Sequence, residues 1–215
     1  IPGGQDLPSL LAAATGMTRQ TLAGSVGVGL GGVLLAWALS RQEGRSADNL
    51  LGGLGLGAVV ALLWWVSGRL GHVAEDPNTL QEAFVATNSQ RMESLTFVAP
   101  MAYTIDWLIF FSDKSKLLTI AIVSTVGVVV GSWLYAIATS SFRWEGFRGV
   151  QDTANHLLGA VLMGIGGVTA MGCTIGQGLS GLSTLSLTSF VAVAAIIAGA
   201  VAGLRFQFWQ VERSA

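Results

Sequence analysis

Charge is scarce in this chain. Of 215 residues, 11 are Lys or Arg and 12 are Asp or Glu, so 11% are charged, against about a quarter in ordinary soluble domains. That is too few to cover a solvated shell, which excludes a soluble enzyme. The formal net charge is −1 and no basic run appears, which excludes nucleic acid as a partner. Cysteine is scarcer still. Cys173 stands alone, excluding a disulfide framework and a CxxC zinc site. Disorder requires low hydrophobicity, and 52% of this chain is hydrophobic. The chain therefore reads as a non-enzyme, with no catalytic residue, metal or cofactor expected. What is abundant is glycine, 29 residues, nearly double the usual share of about 7%. Mean hydropathy is +0.63. These values mark an integral membrane protein, with membrane lipid as its first partner.

Apolar runs of about 20 residues cross a hydrocarbon layer as helices. The clearest are Thr21 to Ser40, Leu50 to Ser67, Leu117 to Thr139 and Leu185 to Leu204. Phe97 to Phe111 is shorter and holds Asp106, and Leu157 to Met171 is dense in glycine. None alternates polar and apolar residues as a barrel strand does, so all read as helix. Polar connectors separate them, and Thr79 to Phe84 is expected as a short interfacial helix. Gly27/Gly31, Gly53/Gly57, Gly127/Gly131 and Gly199/Gly203 have the spacing of tight helix packing. If all six runs cross, one face holds seven arginines and the other Arg41, Arg45, Lys114 and Lys116. If the fifth turns back, Arg205 and Arg213 change sides, so orientation by the positive-inside rule hangs on that run.

Leu157 to Leu204 spans 48 residues without a charge. Two crossings need about 40, and the surplus falls at Gly172-Cys173-Thr174-Ile175-Gly176-Gln177-Gly178-Leu179-Ser180-Gly181. Only the 15 residues from Leu157 to Met171 precede this segment, a helix of about 22 Å, so the backbone becomes irregular near membrane depth. Irregular backbone is tolerated there only where protein buries it or a wet cavity touches it. A break between half-helices is the architecture of transporter binding sites. Gly172, Gly176, Gly178 and Gly181 permit close approach to the backbone. The helix restarting near Ser180 to Thr184 is expected to point free N–H groups into the site. Thr174, Gln177, Ser180, Ser183 and Thr184 add neutral donors. With no Lys or Arg in the stretch, a small anion is held by dipoles. Cys173 adds a polarizable sulfur with a weak S–H donor, expected as the neutral thiol because a thiolate repels an anion. The expected fold is an all-α integral membrane domain of about six hydrophobic helices, with a broken or re-entrant helix pair at the Cys173 motif.

Three segments carry a family resemblance. They are Ser94-Leu95-Thr96-Phe97-Val98-Ala99-Pro100, Phe142-Arg143-Trp144-Glu145-Gly146-Phe147-Arg148, and Leu157 to Gly181 with its Gly-Cys-Thr-x-Gly-x-Gly-Leu-Ser-Gly string. In that order they resemble the YeeE/YedE family of bacterial membrane proteins, well from Ser94 onward and loosely before it. The resemblance implies a multi-pass permease of the bacterial inner membrane that takes up thiosulfate or a related small sulfur oxyanion. It implies inverted repeats, short helices entering from both faces, and cysteines that pass the anion along by S–H hydrogen bonds. Here that relay role falls on Cys173, with Gly172, Thr174, Gly176, Gln177, Gly178, Ser180 and Gly181 around it. The family carries further functional cysteines in an N-terminal half, and this chain has none. Residues 1–215 are therefore expected to be a single transmembrane domain, the C-terminal part of a longer inverted-repeat transporter. The other half would come from an N-terminal half, a second subunit, or a homodimer with two copies of Cys173. A soluble TusA-like sulfur carrier is a further partner implied by the family. Two other readings stand beside transport: a membrane sulfurtransferase using a Cys173 persulfide, and a structural subunit of a larger membrane complex.

Outside the break, His156 reads as a helix-start or interface residue and His72 as a solvated loop residue. Asp106 reads as an interface anchor near Lys114 and Lys116. Arg143, Trp144, Glu145 and Arg148 read as a membrane-edge anchor, a docking surface, or both, and Trp64, Trp65, Trp107, Trp133 and Trp209 as an aromatic belt.

Overall fold

In hydrocarbon every backbone N–H and C=O must be paired within the protein, and this chain meets the demand almost entirely with helix. The computed structural model describes residues 6–75, 80–113 and 117–214. The helices are α1 (Leu7–Thr15), α2 (Arg19–Ser40), α3 (Ala47–Trp65, continued by a π turn at Val66–Leu70), α4 (Val98–Ile109), α5 (Ile120–Ala138), α6 (Val150–Thr169) and α7 (Leu187–Ser214). Four are long and apolar enough to cross a membrane: α2, α3 with its π turn, α5 and α7. The protein is an all-α, multi-pass membrane protein. The fourth apolar run forms the shorter α4, of 12 residues. The fifth forms α6, of 20 residues. It begins seven residues before the apolar run does, because Gln151, Asp152, Asn155 and His156 join its first turns.

The expected interfacial helix at Thr79 to Phe84 does not form. Ala83–Phe84 is instead a strand, β2, antiparallel to His72–Val73, β1, with His72 opposite Phe84; Thr79 lies outside the described residues. The segment is only weakly amphipathic, and cross-strand contacts fix it as a hairpin. His72 Nε2 lies 2.9 Å from Glu82 Oε1, and its ring lies 5.3 Å from that of Phe84. His72 is therefore a residue of a hairpin, with Glu82 and Phe84 beside it.

Two units can be described separately. One comprises Ala58–Gly176. In it α4 packs on α5 and α6, and the hairpin meets the π turn at the end of α3. The connection between hairpin and α4 is tied to α3 by hydroxyls. Fully buried Ser67 donates through Oγ to the Glu93 carbonyl at 2.7 Å and accepts the Glu93 N–H at 3.2 Å. Ser94 Oγ donates to the Val60 carbonyl at 3.1 Å. The other unit comprises Ile1–Gly57 and Gln177–Ala215. In it α1 packs on α2, and the Leu7 N–H donates to the Leu185 carbonyl at 3.0 Å. Asp6 accepts the Ser9 hydroxyl at 2.6 Å and the Arg19 Nε–H at 3.0 Å.

Side chains are distributed as lipid requires. Among the described residues, the buried polar set (Ser67, Thr87, Ser94, Thr119, Thr125, Ser180, Ser189) is as large as the buried hydrophobic set, while leucines, valines and isoleucines along the spans are exposed. A water-soluble fold has the reverse arrangement. The glycine pairs expected to pack helices do not do so within either unit. A Cβ placed at Gly27, Gly31, Gly53, Gly57, Gly127, Gly131, Gly199 or Gly203 meets nothing within 4 Å. Each span buries little, from 6% of α2 and α7 to 17% of α5, so these small-residue faces are left open.

Two outcomes are expected. Ser67→Ala removes the donor and acceptor that pair both Glu93 backbone groups and should lower stability by about 1–3 kcal/mol, measured by thermal unfolding in mild detergent. Asp6 lies outside the spanning helices, and the Ser9 hydroxyl, followed by Arg19, holds its carboxyl below the usual range against the opposing effect of burial. A depressed carboxyl contributes stability that is complete above its unfolded value near about 3.9 and lost as pH falls through the lower folded value. Hydrogen-exchange protection of the Leu7 amide should therefore fall below about pH 4. It should already be reduced at neutral pH in Asp6→Asn.

Candidate functional site

The break forms where α6 stops. Its last carbonyls are satisfied by its own backbone: the Gly172 N–H donates to Gly167 at 2.8 Å and the Met171 N–H to Val168 at 3.1 Å. Met171 holds φ at +53°, the left-handed residue of a Schellman-type end. Here it is a methionine, which tolerates the conformation less well than glycine. Closed in this way, the helix end has the carbonyls of Gly166, Gly167 and Val168 paired just before Cys173.

The chain turns helical again at residue 174, earlier than the expected restart near Ser180, and continues through a π turn at Gly176–Gly181 to residue 183. The glycine-rich segment is thus a wide helical turn rather than an irregular loop. Glycine has little helix propensity, but the π turn still pairs its backbone, as membrane depth demands. A second break follows at Leu185, where φ is +55°, before α7.

Cys173 sits at the first restart and is half-buried. Its Sγ accepts the Gly176 N–H at 3.4 Å, and the backbone N–H groups of Phe97, Val98 and Ile175 also face it. Phe97 and Val98 open α4, whose N-terminus has no side-chain cap. Pro100 stands in that first turn and brings no N–H of its own. Two helix starts therefore lie beside one sulfur. Glycines allow the approach. A Cβ at Gly167 of α6 would come within 2.7 Å of Val98 Cγ2, and one at Gly176 within 2.7 Å of Thr96 Oγ1. Both glycines serve to seat residues 96–98 against the cysteine.

The second half of the motif belongs to the other unit. Gln177 is half-buried, and its Oε1 accepts the Ser189 hydroxyl at 2.6 Å. A Cβ at Gly181 would collide with Ser189 Oγ and lie 2.9 Å from Gln177 Oε1. Gly178 is different, with only Val193 Cγ2 at 3.9 Å. Gly176 and Gly181 are thus filled by protein, and Gly178 alone of these three is not. Gly172 and Ser180 are buried and Thr174 is exposed. The Ser183 hydroxyl returns to the Ser180 carbonyl and that of Thr184 to Gly181. No group of metal-ligating side chains occurs among the described residues.

Sequence reasoning did not assign Thr96, Phe97, Val98 or Ser189 to the site. The Ser94 to Pro100 segment was visible as a motif, and its uncapped start followed by proline was the signal that it needed a partner. Nothing in the sequence pointed to Ser189. His156, expected at a helix start, lies in the second turn of α6, which opens earlier, at Val150; its Nδ1 lies 2.8 Å from the Asp152 carbonyl oxygen, and Asp152 Oδ2 accepts the Arg148 N–H at 3.0 Å.

The same region carries a family signature. The family model described as Sulphur transport matches residues 35–202. The chain belongs to this Sulphur transport family. The expected YeeE/YedE kinship is thereby borne out. Thiosulfate transporter TsuA of Escherichia coli (strain K12) is 30% identical over 109 residues, covering 51% of this chain and 30% of that protein. Thiosulfate transporter TsuA of Spirochaeta thermophila is 36% identical over 77 residues, covering 34% of this chain and 22% of that protein. The chain thus matches less than a third of the length of either curated relative. No solved structure matches it.

For this family member the glycine assignments separate experimentally. Gly176→Ala should cost about 1–3 kcal/mol by overpacking, and Thr96→Ala in the same chain should recover part of it. Gly178→Ala should be near neutral. Thermal unfolding in detergent measures all three.

Proposed function

We propose that this protein is a permease of the bacterial inner membrane for thiosulfate or a related small sulfur oxyanion, passed at Cys173. The observation that carries this reading is the convergence of the α4 start and the helix restart at residue 174 on the Cys173 sulfur. An anion beside that sulfur lies near the positive ends of two helix dipoles. The amides act on the sulfur's lone pairs, so the S–H hydrogen is the group left to donate to an anion. Thr174 stands exposed beside it. Gln177, Gly178, Ser180 and Gly181 continue the proposed site along the motif. The likeness to two thiosulfate transporters supports the choice of anion.

The proposed permease works with further helices, from the rest of a longer polypeptide or from a second chain. The open glycine faces of α2, α3, α5 and α7 support this, since such faces let helices approach closely in lipid.

Cys173→Ala, introduced at the native locus, should abolish growth on thiosulfate as sole sulfur source while leaving growth on cysteine intact. Cys173→Ser should retain part of the uptake, because its hydroxyl still donates. Wild-type growth of the alanine variant, with the protein present in the membrane, would overturn the reading.

A further inference from the structure

The connection from α5 to α6 carries the segment Phe142-Arg143-Trp144-Glu145-Gly146-Phe147-Arg148, which interleaves rings with charges. Trp144, Phe147 and Val150 are exposed, as apolar groups at a membrane edge are. The end of the segment is folded back on α6. Asp152 Oδ2 accepts the Arg148 N–H at 3.0 Å, and the Thr153 hydroxyl donates to the Gly149 carbonyl at 3.0 Å. The Phe147 ring stands edge-on to that of His156, with centroids 5.2 Å apart.

This fold-back leaves two adjoining cavities, both within the Ala58–Gly176 unit. One, of about 410 Å³, is lined by Glu145, Phe147, Arg148, Asp152 and His156. The other, of about 600 Å³, is lined by Phe147, His156, Leu157, Gly159, Ala160 and Met163 among others. Phe147 and His156 belong to both. Each has the size of a small-molecule site, roughly 300–1,000 Å³. Asp152 is the last Asp, Glu, Lys or Arg before Arg205, so the change from charged to apolar lining falls where the uncharged stretch begins. A ligand that fills both cavities is an amphiphile, with its head at the loop and its tail along α6. The charges also choose the head. Two carboxylates, Glu145 and Asp152, stand with one guanidinium, Arg148. That set repels a headgroup that is only negative. It suits one that joins a phosphate, for the guanidinium, to an ammonium, for the carboxylates. We propose that this is a seat for a zwitterionic phospholipid of the ethanolamine type, with its headgroup against Glu145, Arg148 and Asp152 and an acyl chain along Leu157 to Met163. The proposal uses no residue assigned to the anion and stands independently of the permease reading.

The test is the lipid that stays with the protein. Full-length protein, purified from its own membranes in mild detergent, is assayed by native mass spectrometry and by phospholipid extraction, normalised to protein. Wild type should retain phosphatidylethanolamine in stoichiometric amount, well above phosphatidylglycerol. Arg148→Glu should lower the retained lipid at least about tenfold, as for a lost hydrogen bond to a charged group. Gly159→Leu should lower it as much. A Cβ at Gly159 meets nothing within 4 Å, so the new side chain enters the cavity without displacing protein. This variant decides the matter even where Arg148→Glu fails to accumulate. Gly164→Leu is the control, since Gly164 is equally open but lies outside the lining; it should retain lipid as wild type does. Cys173→Ala should do the same. Wild type without retained phosphatidylethanolamine, as when another helix covers this face, would overturn the proposal. So would a preference for phosphatidylglycerol, wild-type retention in Gly159→Leu, or equal loss in Gly164→Leu.

Discussion

No backbone polar group can go unpaired at membrane depth, and every departure from regular helix in this protein is shaped by that constraint. The chain interrupts its helices at Cys173 and again at Leu185, and at each interruption freed groups find backbone partners. Gly172 and Met171 turn back onto α6. Leu185 accepts the Leu7 N–H that starts α1. The start of α4, which has no cap of its own, is met by the sulfur of Cys173. The cysteine therefore has a structural task before it has any functional one. Its sulfur accepts the Gly176 N–H of its own helical turn and lies beside the start of another helix.

Glycine and hydroxyl residues perform the work that charge and large apolar side chains perform in soluble proteins. Gly167 and Gly176 bring the 96–98 segment against Cys173. Ser67 and Ser94 tie the connection that leads into α4 back to α3. The buried interior is consequently rich in serine and threonine, with leucine and valine displaced to the exterior. Small polar groups suit this place because each completes a hydrogen bond at short range without a charge that would have to be desolvated.

The class of fold was legible because the hydrocarbon thickness sets helix length, and four long uncharged runs read directly as spans. Run ends were less legible. Polar residues that open a helix, as Gln151 and Asp152 open α6, interrupt hydropathy without interrupting the backbone pattern. The position of the break was readable at Cys173, from the accumulation of glycine beside the lone cysteine, but its form was not. Glycine signals backbone freedom, and nothing local says whether that freedom becomes a loop or a π turn. The tertiary partners of the motif were hidden for a similar reason. Thr96 and Ser189 are ordinary residues in their own segments, and only the packing of α4 on α6 and the run of the chain into α7 make them neighbours of the motif. The short α1 was missed as well, although Pro8 near its start and Gly16 after its end are the usual helix punctuation.

Scarcity of charge has a meaning for the proposed site beyond a lipid setting. A buried lysine or arginine facing an oxyanion would need several kcal/mol of desolvation to be repaid by the pair, and the pair once formed would be slow to part. Conduction needs binding strong enough to admit the ion and weak enough to release it. Backbone N–H groups at helix starts meet that condition better. Their partial charges total about half an elementary charge per helix, they are fixed by the fold, and they leave no buried ion behind when the anion departs. The thiol extends the same principle, because a neutral S–H donates without carrying charge. On this view the uncharged stretch from Leu157 to Leu204 is the condition under which a small anion can be held briefly and let go.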